Sequence, residues 1–276
     1  MIAGDVKIYV PGKGFLNPME LSVGDPVITL EQFKVLPGTI TSLSTDRVLG
    51  RLCRVDSGAH NVLVTEDARL AYYSESFGHR LLAFNEIAKL TRDKTYSATH
   101  FLPVLSWPEQ SLRRQTNADL EYVARSLALS DKSYDAKMLS IINNCSGNDA
   151  IILIDMLEFW CSEQPGKGWF NRVQVKSRAH FIRDASIREA LAVVAVLAGY
   201  TSRVEDIGLF ISYESMPIPG SRPKNQKYYY SFEDTMVYNI DASNRPILGM
   251  SNRRCFYLPC TSVLQNKNQK EIKCLD

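Results

Sequence analysis

Between Lys167 and Arg183 the sequence places five basic residues, Lys167, Arg172, Lys176, Arg178 and Arg183, and no acidic one. In the run WFNRVQVKSRAHF, strand alternation puts Val173 and Val175 on one face and Arg172, Gln174, Lys176 and Arg178 on the other. Cations on such a face can pair with phosphates, and an amide such as Gln174 can reach base edges in a major groove wide enough for a β-ribbon. The pattern points to double-stranded DNA; a solvated strand face over a valine core satisfies it as well. Asp131 and Glu163, taken by themselves, are acids at helix ends with the bland reading of surface charges. The run Tyr228, Tyr229, Tyr230 after Lys224 and Lys227 offers rings for stacking on nucleotides, and equally fits aromatic packing on a strand. His180, at a strand end, reads as a satisfied group rather than a base.

What surrounds these residues limits the chemistry. A chain of 276 residues with 45% hydrophobic and 22% charged side chains can bury a real core, as one large domain or two modest ones, which excludes general disorder. The 32 Lys and Arg against 30 Asp and Glu leave a formal charge of +2, so attraction to nucleic acid must be local. Six cysteines without a CxxC pair and four histidines without ligand spacing argue against zinc and read as reduced thiols and ordinary imidazoles. The opening MIAGDVKIYV has no secretory pattern, and no apolar run reaches the roughly 18 residues of a membrane span. The expected setting is cytoplasmic, with no membrane partner.

The elements that must position the site follow from periodicity. From Met1 to about Val104, short apolar runs (VKIYV, DPVITL, LPGTITSL, GRLCRV, NVLV, ARLAYY) separated by turn residues predict a meander of strands. From Thr116 to Asp131, Leu120, Val123, Ala124, Leu127 and Ala128 recur at helical spacing, with Thr116 as cap and Asp119 three residues on. Ser146 and Asp149 cap a second helix through AIILIDMLEFW, and Ser186 with Glu189 caps a third that stops at Gly199. The runs GLFISY, YYYSF, MVYNI and RCFYLPC predict returning strands. The order β, α+β, β predicts a β domain interrupted by an inserted α+β domain.

The two ends resemble the Hint fold of inteins and hedgehog processing domains. The opening residues Ala3, Gly4, Asp5 and Ile8, followed by the turn Val23, Gly24, Asp25 and Val27, are similar to an intein's first block. NVLVTEDARLAYY resembles the block in which Thr precedes a His, and RRCFYLPCTSVLQNKNQ resembles the closing strands of phage-encoded intein-like domains. Splicing needs a thiol or hydroxyl at the first residue, a His to protonate the leaving amide and a terminal Asn. At those positions stand Met1, Ala68 and Asp276, with Leu275 where a His commonly precedes the last residue. A thioether cannot be deprotonated to a nucleophile and a methyl group cannot donate a proton. The resemblance therefore implies a Hint fold without splicing, and Met1 is expected as an ordinary start with nothing upstream to cleave.

The middle of the chain resembles a degenerate homing endonuclease of the LAGLIDADG type, in which two closely packed helices each end in an acid that holds Mg²⁺ beside the scissile phosphates. ARSLALSDK and MLEFWCSEQ occupy those places, so the resemblance makes Asp131 and Glu163 the catalytic and metal-binding pair. Ser126 and Ser130 are small enough for a close helix contact, whereas Glu158 stands where a small residue should meet its partner. Lys132 and Gln164 replace the motifs' final Gly, and SIREALAVVAVLAGYTSRV matches the family's following helix and strand.

The fold class expected is α+β: an all-β, horseshoe-like Hint domain from residues 1–105 and 233–276, interrupted by a LAGLIDADG-like domain over 106–232. The expected function is that of an intein-derived, splicing-inactive protein that binds double-stranded DNA through Lys167, Arg172, Gln174, Lys176 and Arg178, with Mg²⁺-dependent cleavage at Asp131 and Glu163. If phage-encoded, it would work in the host cytoplasm. The competing reading is a non-catalytic subunit of a phage particle or of a DNA-processing or transcription complex. A stand-alone autoprocessing protein is the third.

Overall fold

The computed structural model describes residues 1–3, 5–31, 34–56, 61–74, 78–92, 112–128, 135–162, 177–206, 208–212, 227–251 and 254–261. The strands of the first part are β1 (Ile2–Ala3), β2 (Val6–Val10), β3 (Gly14–Leu16), β4 (Pro26–Glu31), β5 (Lys34–Thr39), β6 (Ser42–Asp56), β7 (Asn61–Val64), β8 (Ala68–Ser74) and β9 (Gly78–Ala83). There follow helices α1 (Phe84–Arg92), α2 (Asn117–Ala128), α3 (Ala136–Asn143) and α4 (Gly147–Ser162), then β10 (Ser177–Phe181), α5 (Ala185–Leu197), β11 (Thr201–Val204) and β12 (Gly208–Ser212). The chain returns through β13 (Lys227–Asp241), β14 (Ile247–Ser251), β15 (Arg254–Leu258) and β16 (Cys260–Thr261). This is a mixed α+β protein with strands at both ends and helices in the middle. No described helix is long and apolar enough to cross a membrane.

Alternation of apolar residues makes the strands, and long-range pairing arranges them. β6 and β13 pair antiparallel along their whole length, from Ser42 opposite Asp241 to Asp56 opposite Lys227. That pairing explains why YYYSF and MVYNI, expected as separate runs, form one strand. The two residues of β1 close a barrel by pairing with β13 on one side and β7 on the other. Ile2 points into the core formed with Ile8, Cys53, Val64 and Phe84, while Ala3 joins Leu52, Leu63 and Val237 on the opposite face.

A second sheet runs β10-β12-β11-β15-β14-β2-β3, with β4 and β5 attached at β14. Strands of the central segment (β10, β11, β12) thus share a sheet with strands from both ends of the chain, joined where Arg203 pairs with Arg254. Close packing at that centre requires Gly249: an added Cβ would lie 2.6 Å from the Lys7 carbonyl oxygen and also strike Leu258.

Helices α2 to α5 cover this sheet. Their largest core joins Leu120, Val123, Leu153, Ile154 and Leu191 to Tyr9, Ile28, Leu30 and Val35 of the first strands. Helix α5 is apolar nearly all round, and Ala190 through Ala198 are all buried, as such a helix must be. Its start lies two residues before the expected Ser186: the Asp184 carboxylate accepts the Ile187 N–H at 2.9 Å. Its end falls where expected, with Gly199 at φ +84°, the Gly199 N–H on the Val196 carbonyl and the Tyr200 N–H on the Ala195 carbonyl.

Two helices depart from the expected pattern. α1 interrupts what reads as a strand meander; Phe84 and Ile87, three residues apart, are fully buried in the barrel core, and Glu86 accepts the Ala83 N–H at 2.9 Å. α3 begins at Asp135, whose carboxylate accepts the Met138 N–H at 2.7 Å, and buries Met138, Ile141 and Ile142. Both helices are short, and nine or eight residues supply too little periodicity to outweigh their surroundings.

Candidate functional site

Two places gather the residues that the sequence singles out. The first is the corner where β1 begins. The Met1 nitrogen donates to Thr65 Oγ1 at 2.8 Å, and the Thr65 N–H returns a bond to the Met1 carbonyl at 3.1 Å. The turn Thr65, Glu66, Asp67, Ala68 closes through the Ala68 N–H on the Thr65 carbonyl at 3.0 Å, and Ala68 is fully buried. Thr261 of β16 pairs with Ala68. Met1 and Ala68, far apart in sequence, are thus drawn to one corner, while Leu275 and Asp276 lie outside the described residues.

Two ionisable groups near this corner, Cys53 and Tyr230, are held in their neutral forms. Cys53 pairs with Val64 and with Tyr230 across the barrel, and burial, reinforced by the charge of Glu66, pushes its thiol up to about 12. A thiol so protected is not a nucleophile at neutral pH. Tyr230 donates to Glu66 Oε1 at 3.0 Å beneath the Arg51 guanidinium, 3.6 Å above its ring. Burial first, and then that hydrogen bond, raise the phenol above its ordinary range. The corner offers neither an attacking side chain at Met1 nor a proton-donating one at Ala68.

The second place is the pair α2–α4. Thr116 caps α2, accepting the Asp119 N–H at 3.1 Å. Ser146 caps α4 reciprocally: its hydroxyl accepts the Asp149 N–H at 3.2 Å, and Asp149 accepts the Ser146 N–H at 3.1 Å. Asp149 also accepts the N–H groups of Arg114 and Gln115, at 2.8 and 3.2 Å, and lies 3.4 Å from Arg113 Nε. These bonds tie the chain entering α2 to the first turn of α4. Burial pushes the Asp149 carboxyl up, but the donors from Arg114, Ser146 and Gln115 outweigh it and leave the group below its usual value.

At the other end, the Arg125 guanidinium in the last turn of α2 lies 5.0 Å from the ring of Trp160 in the last turn of α4. With both starts joined and both ends joined, the two helices run parallel, side by side. Ser126 is buried beside Leu127 and Ala128, in keeping with a close contact. Glu158 is half-buried, and its charge, with that of Asp155, acts on the Tyr200 hydroxyl after burial has already raised it. That places Glu158 toward the end of α5.

Asp131 lies three residues past the described end of α2 and Glu163 follows directly on α4; both are outside the described residues, as are Lys167, Arg172, Gln174 and Lys176. Arg178 falls in β10, opposite Ile211 of β12. Among the described residues no three His, Cys, Asp or Glu side chains gather into a metal site. The joining arm of Arg113, Arg114 and Gln115 carries no motif and escapes a reading by sequence. The sign it leaves is an acid, Asp149, at the buried end of a helix.

No family model matches the sequence, and no curated protein matches it. Among solved structures, the chain is similar to the solution structure of a bacterial intein-like domain from Clostridium thermocellum, with a TM-score of 0.32 and 10% identity over 93% of this chain and 96% of that one. So distant a likeness carries no argument about fold or function.

Proposed function

We propose that this chain is a splicing-inactive, intein-derived protein that binds double-stranded DNA through its central segment, 106–232, and cuts it with Mg²⁺ as cofactor. The parallel packing of α2 and α4 supports the reading: the two helices are joined at both ends, and Asp131 and Glu163 follow them in the sequence. Two carboxylates form a hard oxygen donor set suited to Mg²⁺, which when bound would draw charge from the phosphodiester. Arg172, Lys176 and Arg178 would neutralise phosphates and Gln174 would contact a base edge, while Lys167 adds a further phosphate contact. Splicing is set aside because the Met1 corner holds a thioether and a methyl group where a nucleophile and an acid are needed.

A nicking and cleavage assay on DNA flanking the gene, with and without Mg²⁺, tests this. Cleavage should require the metal and disappear in Asp131→Asn and in Glu163→Gln. Metal-independent cutting, or activity untouched by both substitutions, removes these residues from the mechanism.

A second reading, a non-catalytic subunit of a larger assembly, draws support from one surface. On the β6–β13 ribbon, Leu49, Phe232 and Met236 are 71%, 75% and 43% exposed on the same face. Co-purification in a complex of fixed stoichiometry, lost on Phe232→Ser, together with no DNA cleavage, would select this reading.

A further inference from the structure

We propose that the bare middle of the β6–β13 ribbon is a dimer interface that receives the same face of a second copy of this chain. The inference uses the surface that supports the subunit reading but requires neither DNA cleavage nor a foreign partner, and its test on the purified chain separates it from both. Residues opposite each other on paired strands share a face. On one face of the ribbon, Leu43 with Ile240, Tyr238, and Cys53 with Tyr230 pack into the barrel core from its two ends. Between them the same face carries Arg47 opposite Met236, Leu49 opposite Asp234, and Arg51 opposite Phe232, and there it leaves the core for solvent.

The reverse face is backed, since Leu52 and Val237 are buried with Ala3 and Leu63. Among the described residues no third strand flanks the middle of the ribbon: β7 pairs with β6 only from Cys53 onward, and β1 pairs with β13 only at Val237 and Tyr238. Two strands with an apolar face in water are marginal, and covering that face removes the cost. Phe232, Leu49 and Met236 expose roughly 400 Å² and, with Arg47, Asp234 and Arg51, about 700 Å² per copy, so a twofold contact buries about 1,200 Å², the low end for a specific interface.

The charges select the occupant. Arg47 donates from Nε and Nη2 to the two carboxylate oxygens of Asp234, each at 2.8 Å, and Arg51 is stacked on the Tyr230 ring. A nucleic acid or an anionic membrane would meet the Asp234 carboxylate beside the cation it needs. A second copy meets a complementary pair, because in a twofold contact residue i faces j and j faces i. Arg47 of each copy then lies against Asp234 of the other, with Phe232, Leu49 and Met236 enclosed between the ribbons. Both charged side chains keep groups for that contact: they are 72% and 45% exposed, and a guanidinium has five N–H donors and a carboxylate about four acceptor sites.

Sedimentation equilibrium on the purified full chain, without DNA, tests the proposal. A monomer–dimer equilibrium with a Kd of about 10 μM is expected, and Phe232→Ser and Leu49→Ser should each raise it about tenfold or more. Arg47→Asp and Asp234→Arg should each self-associate at least about tenfold more weakly than the wild type, yet form a one-to-one mixed dimer when combined, because each supplies the charge the other lacks. If either charge variant fails to fold, the Phe232 and Leu49 variants carry the test. A chain that stays monomeric at about 100 μM, a dimer unchanged in both Phe232→Ser and Leu49→Ser, or two folded charge variants that form no mixed dimer would overturn the assignment. A solution monomer that binds phosphatidylserine vesicles, or a different protein at fixed stoichiometry, through Phe232 would overturn it as well and give the face to that occupant.

Discussion

At the Met1 corner, backbone and hydroxyl bonds hold Met1 against Thr65 and bury Ala68, so that residues of inert chemistry occupy a rigid frame. At the α2–α4 pair the frame is equally determined, by Asp149 at one end and by Arg125 on Trp160 at the other, but it leads into two carboxylic acids. The barrel at the first place is built from strands that alternate; the helices at the second are built from capped, amphipathic runs. Scaffold and chemistry are thus separable: backbone pairing and burial fix the corner's geometry whatever the reactivity of the side chains placed there.

The contrast can be broken at its most sensitive point first. Asp131→Asn or Glu163→Gln should lower the rate of DNA cleavage by about 100-fold or more while leaving DNA binding within a few fold, measured by single-turnover nicking and by mobility shift. Equal loss of binding would mean that the acids organise the segment rather than the chemistry. No substitution at Met1 or Ala68 should alter cleavage to that degree.

Next comes the packing that aligns the helices. Leu153→Ala, at a fully buried position of α4, should destabilise the chain by about 2–5 kcal/mol in chemical denaturation. A cost below about 1 kcal/mol would mean that the α2–α4 seam does not hold the central segment together.

The tie between helix starts gives a smaller effect with a pH signature. Asp149→Asn should cost about 1–3 kcal/mol, since several buried donors lose a charged acceptor. The folded carboxyl lies below its unfolded value, so its contribution is complete above the unfolded pKa of about 3.9 and is lost as the pH falls through the lower folded value. Wild type should therefore lose stability more steeply than Asp149→Asn in that acid window. Parallel losses would remove Asp149 from the account.

The smallest effect belongs to the corner. Thr65→Val removes the hydroxyl that receives the Met1 nitrogen and should cost about 0.5–1.5 kcal/mol, read as a fall in Tm of a few degrees. A larger loss would show that the corner is more than a frame.

Much of the architecture was legible residue by residue. VKIYV, NVLV and ARLAYY became β2, β7 and β8, and the caps at Thr116 and at Ser146 with Asp149 formed as their spacing predicts. The start of α5 was misplaced because two capping residues, Asp184 and Ser186, compete within one turn, and the carboxylate reaches the Ile187 N–H. Helices α1 and α3 were missed because their apolar residues are few and acquire meaning only against the core they enter. Of the candidate site, Met1 and Ala68 could be named in advance, whereas Cys53 and Tyr230 could not, since their neutrality arises from burial.

Alternation, helical spacing and turn residues act over a few positions, so the sequence alone determined the strands at both ends, the three capped helices of the middle and the inert chemistry of the Met1 and Ala68 side chains. Only the tertiary structure decided that β1 closes a barrel between β7 and β13 and that α2 and α4 run parallel. Each of these joins residues distant along the chain, and the energy that selects them comes from buried area and paired polar groups that exist only once the chain has closed on itself.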